Sequence, residues 1–420
     1  MNFNHNLLAR MRMAGQSWRD AQTFVGPAQG SMHPDQLQKL TAVTELIQRT
    51  LNDNLPGLAK TGSHTVSDQT SPQYATQKQS LHDINTPPEK KRDSQPQGDV
   101  AHQAYVIDAE DSSQEKKNDH SNAGRFISGS YVSVHGKRSY KLYIPSSYEV
   151  HPGQALPLIV MLHGCTQGPD DFATGTGMNL IAEQHRCLVV YPAQDQGANT
   201  SKCWNWFKAM DQQRDQGEPA MIAGITRKIM ADYHVDNRYV FIAGMSAGGA
   251  MAAIMADTYP ELYAAVGIHS GLPFGAANDL PSALAAMRGA SNQIKTPSTG
   301  AAIPIIVFHG DQDHTVNSKN ADRIMTRYLD NSHSSALKTQ KESGSGKQGR
   351  RYTRTYYAGN DQAQKANHKV TSAEQWIIHG AGHAWSGGNS QGSFTDAAGP
   401  DASREMLRFF LSQADKIQGA

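Results

Sequence analysis

Several absences narrow this chain before any motif is read. No apolar run in its 420 residues approaches the ~20 residues that a membrane-spanning helix needs. Charge of one sign is missing too. The 39 Lys and Arg against 38 Asp and Glu leave a formal net charge of +1. That gives no sign of the broad basic surface on which nucleic-acid or anionic-membrane binding relies. Cysteine is scarce: Cys165, Cys187 and Cys203 are odd in number and make no disulfide framework. One pair could bridge in an oxidising compartment, and the sequence does not choose it. No H-E-x-x-H occurs, and the His309-Gly-Asp-Gln-Asp-His314 stretch has no recognised zinc spacing. No metal and no cofactor are therefore expected. Residues 1–30 have basic residues but no continuous apolar stretch, so they do not read as a secretory leader. By sequence, the expected location is cytoplasmic.

What is present suffices for a large core, since 38% of the residues are hydrophobic. Leu37, Leu40, Val43, Ile47 and Leu51 fall at helical spacing between Pro34-Asp35 and Asn52-Asp53, which predicts one amphipathic helix. It is expected to pack on the rest of the chain or to dimerise; a partner protein or a lipid-coated granule is the alternative. Residues 61–122 are rich in Ser, Gln, Asp, Lys and Pro. They hold too few large apolar groups to offset ordering entropy and read as a disordered linker. The expected division is 1–60, an N-terminal segment with the helix; 61–122, the linker; and 123–420, a folded domain.

That domain reads as α/β, a mainly parallel sheet with helices on both faces. Residues 126–135 and 139–144 predict an antiparallel hairpin turning at Gly136-Lys137. Residues 158–162, 188–191, 239–243, 264–269, 303–308 and 375–378 predict strands. Met221, Ile222, Ile225 and Ile229 share a helical face, and helices are expected over 250–255 and 403–413. Residues 335–351, basic and Gly/Ser-rich, read as an exposed insertion.

The strand at 239–243 breaks into Gly244-Met245-Ser246-Ala247-Gly248, a G-x-S-x-G match followed by a small-residue helix. In a nucleophile elbow such a serine sits on a strained strand–turn–helix, held above the helix N-terminus. Gly388-Asn389-Ser390-Gln391-Gly392 matches the same pattern but has neither strand nor helix around it, so it reads as a loop. A serine nucleophile needs a base and an orienting acid. Asp311 and Asp313 both follow the strand at 303–308. The His-Gly-x-x-Asp-x-x-Val spacing ending at Val316 favours Asp313, while Asp311 could cap its own turn. His379 and His383 both follow the strand at 375–378, and the Gly-rich loop position favours His383. The other histidines, His314 among them, read as surface or packing residues. An oxyanion site would use the N–H of Ala247 and one from the loop opening at His163-Gly164, that of Cys165 or a neighbour.

Together these segments resemble the esterase family of poly(3-hydroxybutyrate) depolymerases and related feruloyl and acetylxylan esterases. The resemblance is carried by Leu162-His-Gly-Cys-Thr-Gln167, Cys203-Trp-Asn-Trp-Phe207, the Ser246 elbow, His309-Gly-Asp-Gln-Asp-His-Thr-Val316 and Gly380-Ala-Gly-His-Ala-Trp-Ser386, in family order over residues 125–415. It implies an α/β-hydrolase fold and ester hydrolysis through an acyl-enzyme. It implies Ser246, Asp313 and His383 as the triad, and a substrate groove with His163, Trp204 and Trp385 at its wall. The expected substrates are hydroxyalkanoate oligomers or polyester, or acyl groups on sugars or phenolics. The contrasting class is a non-hydrolytic use of the fold, an acyltransferase or a polymer-granule-associated binding protein.

The division of the chain has a direct test. A protein truncated to begin at Ser121 should fold and keep its activity on small soluble esters, with any loss confined to polymer or granules. An insoluble or inactive truncated protein would show that the N-terminal segment completes the folded domain.

Overall fold

Runs of Leu, Val, Ile and Phe too apolar to face water on either side make the centre of the molecule a sheet covered on both faces. The computed structural model describes residues 124–151, 153–290, 302–332, 338–358 and 373–418. All lie in the unit Thr50–Ala420. The N-terminal helix expected over residues 37–51 and the linker at 61–122 lie outside the described residues.

The strands are β1 Arg125–Ser133, β2 Gly136–Ile144, β3 Leu156–Leu162, β4 Leu188–Pro192, β5 Val235–Met245, β6 Ala265–His269, β7 Ile305–Gly310, β8 Lys338–Ser345, β9 Arg351–Ala358 and β10 Ala373–Ile378. Their order in the sheet is β1-β2-β4-β3-β5-β6-β7-β10-β9-β8. The six from β4 to β10 run parallel. An antiparallel hairpin closes each edge. The flanking helices are α1 Pro169–Thr176, α2 Met178–His185, α3 Gly217–Asp232, α4 Ala247–Thr258, α5 Leu280–Met287, α6 Lys319–Asn331 and α7 Ala402–Gln418.

The two-residue period of the strands divides the core in two. Leu158, Val160, Leu162, Val240, Ile242 and Val307 face α3, α4 and α6. Ile159, Met161, Phe241, Ala243, Ile306 and Phe308 face α2 and α7, against Ile181, Met406, Phe409 and Phe410. Burying each such side chain is worth roughly 1.5–3 kcal/mol, and this uninterrupted burial holds the strand ends rigid. The arrangement, with a serine turn between a central parallel strand and its helix, is the α/β-hydrolase fold. Among the described residues no helix is long and apolar enough to cross a membrane.

Two sequence expectations shift. The first hairpin turns at Val134-His135, not Gly136-Lys137, because Ser133 pairs directly with Gly136. Of the stretch 335–351, the described residues 339–351 are exposed in large part, but residues 338–345 form β8 and Arg351 begins β9, which extend the sheet. Ladder hydrogen bonds to β10 recruit that hairpin despite its polar composition.

The elbow depends on two missing side chains. A Cβ on Gly244 would lie 2.3 Å from the Gly248 carbonyl oxygen, and one on Gly248 would lie 2.1 Å from that of Leu162. Both contacts are with backbone inside a rigid layer. Gly248→Ala should therefore cost about 1–3 kcal/mol or more in chemical denaturation, as overpacked core sites do. Gly168→Ala, where a Cβ meets nothing within 4 Å, should cost less. Equal stabilities would show that the elbow is not held by this close approach.

Candidate active site

Ser246 occupies the turn between β5 and α4 with φ +57° and ψ −119°. For a residue with a Cβ this conformation costs of order 1–3 kcal/mol, so its surroundings must impose it. The Ser246 N–H donates to the His269 carbonyl at 2.9 Å, and its own carbonyl accepts the N–H of Ala250 at 2.9 Å. Ala247 is the first residue of α4, where backbone N–H groups have no intrahelical acceptor and the helix dipole is positive. The loop after β3 closes over the same place. A Cβ on Gly164 would sit 3.6 Å from the Ser246 Cβ, and Cys165 follows directly. Cys165 is disulfide-bonded to Cys203, and Cys187 is free and buried.

Asp313 and His383, the acid and base expected from the sequence, meet because their strands are neighbours. β7 and β10 pair with Gly310 opposite Ile378, so the loops that follow emerge side by side. Gln312 N–H donates to the Ala381 carbonyl at 3.0 Å and joins them. His383 Nδ1 then lies 2.7 Å from Asp313 Oδ2, both side chains buried. Asp313 Oδ1 accepts the N–H groups of Thr315 at 2.9 Å and Val316 at 2.8 Å. Burial alone would push the Asp313 carboxyl up. The His383 charge, with hydrogen bonds from His309 and His383, holds it well below the usual carboxylate range instead. An ionised partner on Nδ1 fixes the imidazole tautomer and leaves Nε2 to accept a proton.

The two competing residues pair with each other. Asp311 accepts the Gly380 N–H at 2.7 Å and lies 2.9 Å from His379 Nδ1, whose other nitrogen is 2.9 Å from Thr353 Oγ1. This second dyad is partly exposed, 33% for Asp311 and 37% for His379. Asp311 caps the neighbouring loop rather than its own turn. The second G-x-S-x-G copy is a loop with Ser390 exposed. Among the described residues no group of three or more His, Cys, Asp or Glu could hold a metal ion.

Two histidines that carried no separate signal in the sequence shape the site. His309 Nε2 is 2.7 Å from the Val316 carbonyl and 3.4 Å from Asp313 Oδ2, so a second imidazole touches the buried acid. Its i,i+4 spacing to Asp313 was the one available clue. His269, besides receiving the Ser246 N–H on its carbonyl, accepts the Ser386 N–H on Nε2 at 3.0 Å. One residue thus ties the serine turn to the loop that carries His383. Its ring stacks on Trp385, with centroids 4.9 Å apart. Burial, then the nearby His309 and His383, push the His269 imidazole down to about 3.

Residues 138–347, half of the chain, match a family profile described as Esterase PHB depolymerase. The chain belongs to that family. Poly(3-hydroxyalkanoate) depolymerase C of Paucimonas lemoignei is 32% identical over 185 residues, 41% of this chain and 44% of that one. A probable acetylxylan esterase A of Aspergillus fumigatus is 27% identical over 196 residues, 43% and 51% of the two chains. This chain spans about half the length of these curated relatives. Among solved structures, acetyl xylan esterase from Aspergillus awamori superposes with a TM-score of 0.48 at 18% identity, covering 61% of this chain and 94% of that one.

The wall residues expected for a groove are placed differently. Trp204 is 0% exposed and donates its indole N–H to the His163 carbonyl at 3.1 Å. Trp385 is 1% exposed and donates to Ser403 Oγ at 3.0 Å. His163 is buried between the Gly164 carbonyl at Nδ1 and the Gln194 N–H at Nε2, and burial pushes it down to about 4. Large amphipathic rings find their polar partners inside, so all three brace loops rather than line a surface.

The low His269 value has a measurable consequence. An imidazole held below its ordinary 6.5 takes up a proton more readily in the unfolded chain, so its stability contribution is complete above pH 6.5 and is lost as pH falls toward 3. In His269→Gln the amide oxygen can still accept the Ser386 N–H. Plotted as stability against pH across that window, the variant should lose about one proton of slope relative to the parent. An unchanged slope would mean that His269 is already protonated in the folded state.

Proposed function

We propose that the protein is a serine esterase that hydrolyses carboxylic esters through an acyl-enzyme. The observation that carries this reading is the buried His383–Asp313 pair, 2.7 Å apart, beyond the same C-terminal ends of the parallel strands as the strained Ser246 turn. Ser246 Oγ attacks the ester carbonyl carbon while His383 Nε2 takes its proton. The oxygen that becomes negative is met by the N–H groups of Ala247 and Cys165. Collapse of the tetrahedral intermediate breaks the bond to the alcohol, which leaves with the proton from His383. Water, deprotonated by His383, then attacks the acyl group and frees the acid and the serine.

The substrate class proposed is a short hydroxyalkanoate oligomer or polyester, or an acyl group on a sugar or phenolic. The relatives named as a depolymerase and as acetylxylan esterases support both branches. The Cys165–Cys203 bond favours an oxidising compartment over the cytoplasmic location expected from residues 1–30. A panel of acyl p-nitrophenyl esters, hydroxybutyrate oligomers, methyl ferulate and acetylated xylan would rank the substrates.

Ser246→Ala should lower kcat by about 10⁴-fold or more without unfolding the protein, and His383→Ala should match it. Ser390→Ala should hydrolyse normally. Asp313→Asn should lose about 10⁴-fold because the imidazole takes the wrong tautomer, whereas Asp311→Asn should stay within about threefold, as an exposed pair contributes little. Fluorophosphonate should label the parent and not Ser246→Ala. Activity that survives in Ser246→Ala, or that is lost in chelator, would remove the serine mechanism.

A further inference from the structure

The loop containing the second G-x-S-x-G copy has a job that its serine does not perform. It is seated on α1, where Asn389 N–H donates to the Gly175 carbonyl at 2.8 Å. Just beyond it, Ser393 meets two side chains from the other side of the site. Asp171 Oδ1 accepts the Ser393 N–H at 2.9 Å, and Asp171 Oδ2 accepts the Ser393 hydroxyl at 2.5 Å. Gln167 Nε2 donates to the same Asp171 oxygen at 2.9 Å and lies 3.2 Å from the Ser393 carbonyl and 3.1 Å from its hydroxyl. The opposite end of that amide, Oε1, accepts the Gly164 N–H at 3.0 Å.

We infer that Gln167 is a positioning residue of the proposed esterase, a latch that holds the loop carrying the Cys165 N–H in register with the loop that follows His383. The inference rests on the esterase reading above. Its geometry is specific. In a trans peptide the Gly164 carbonyl and the Cys165 N–H point in opposite directions. That carbonyl is held from one side by His163 Nδ1 at 2.8 Å and the Gln167 N–H at 3.3 Å. The Cys165 N–H is thereby aimed the other way. Gln167 grips Gly164 twice, by backbone on its carbonyl and by side chain on its N–H. The side chain is 2% exposed, so water does not substitute for it.

Asp171 sets which way the amide faces. A carboxylate only accepts, so it selects Nε2 and leaves Oε1 for Gly164. This is why glutamine serves and glutamate would not: a second carboxylate beside Asp171 repels it and loses the donor that reaches Ser393.

The full chain, assayed on p-nitrophenyl butyrate with kcat expressed per fluorophosphonate-titratable serine, tests the latch. Gln167→Met has nearly the same shape and no hydrogen bonds. It should lower kcat by about 10–100-fold with KM within about twofold, less than the loss of an oxyanion donor outright, because the donor is misaimed rather than removed. Gln167→Glu should be similarly slow. Adding Asp171→Asn restores a donor facing an acceptor and should bring the double variant back to within about threefold of the parent. Should Gln167→Met prove insoluble, the Gln167→Glu pair decides alone. A Gln167→Met kcat within about twofold of the parent, or no rescue by Asp171→Asn, overturns the latch while Ser246→Ala remains inactive. Activity in Ser246→Ala would instead remove the esterase reading, and the latch with it.

Discussion

A carboxylate placed inside a protein must be met by donors from every side, because an unpaired buried charge costs far more than any one contact returns. Asp313 imposes that demand here. Its Oδ1 is met by two backbone N–H groups of its own loop, and its Oδ2 by His383 and, at longer range, His309. Satisfying Oδ1 curls residues 313–316 into a turn. Satisfying Oδ2 brings the histidine loop down over the C-terminal ends of β7 and β10. The His383 imidazole is therefore oriented as a by-product of making a buried charge tolerable.

The surrounding imidazoles sharpen that electrostatic picture. His269, His309 and His383 stand around one carboxylate, and His269 is pushed down by burial and by the other two rings. With His269 neutral and buried, Asp313 Oδ2 is left to the two rings that touch it, His383 at 2.7 Å and His309 at 3.4 Å. The neutral His269 is then free for mechanical work, with its carbonyl under the serine turn and Nε2 under the His383 loop. Rigidity of the sheet beneath transmits this registration, since interiors packed at crystal-like density do not absorb small displacements.

Much of the site was legible because its parts lie at strand ends, and strands announce themselves by apolar runs. The elbow at Ser246, the choice of the 388–392 copy as a loop, and the order of the three loops all follow from context around short motifs. Between Asp311 and Asp313, and between His379 and His383, the sequence favoured Asp313 and His383 by motif position alone, because each pair falls within a few residues of the same strand end. Spacing along the chain says little about which of two neighbours turns inward. The hairpin at 338–358 was missed as sheet because its residues are polar, and its pairing partner β10 follows it in the chain. The family resemblance placed Trp204 and Trp385 in a groove wall, but a ring N–H finds its acceptor only in three dimensions.

The sequence by itself determined the α/β alternation, the position of the serine turn and the two short segments that supply Asp313 and His383. These depend on local periodicity and on glycines whose absent side chains are a property of one position. The tertiary structure alone decided which carboxylate is buried, which histidine reaches it, which cysteines join and which glutamine grips the loop after β3. Those outcomes depend on β7 lying beside β10 and on α1 lying beneath residues 388–393. No residue encodes such a neighbourhood until hydrogen bonding and burial between distant segments have chosen it.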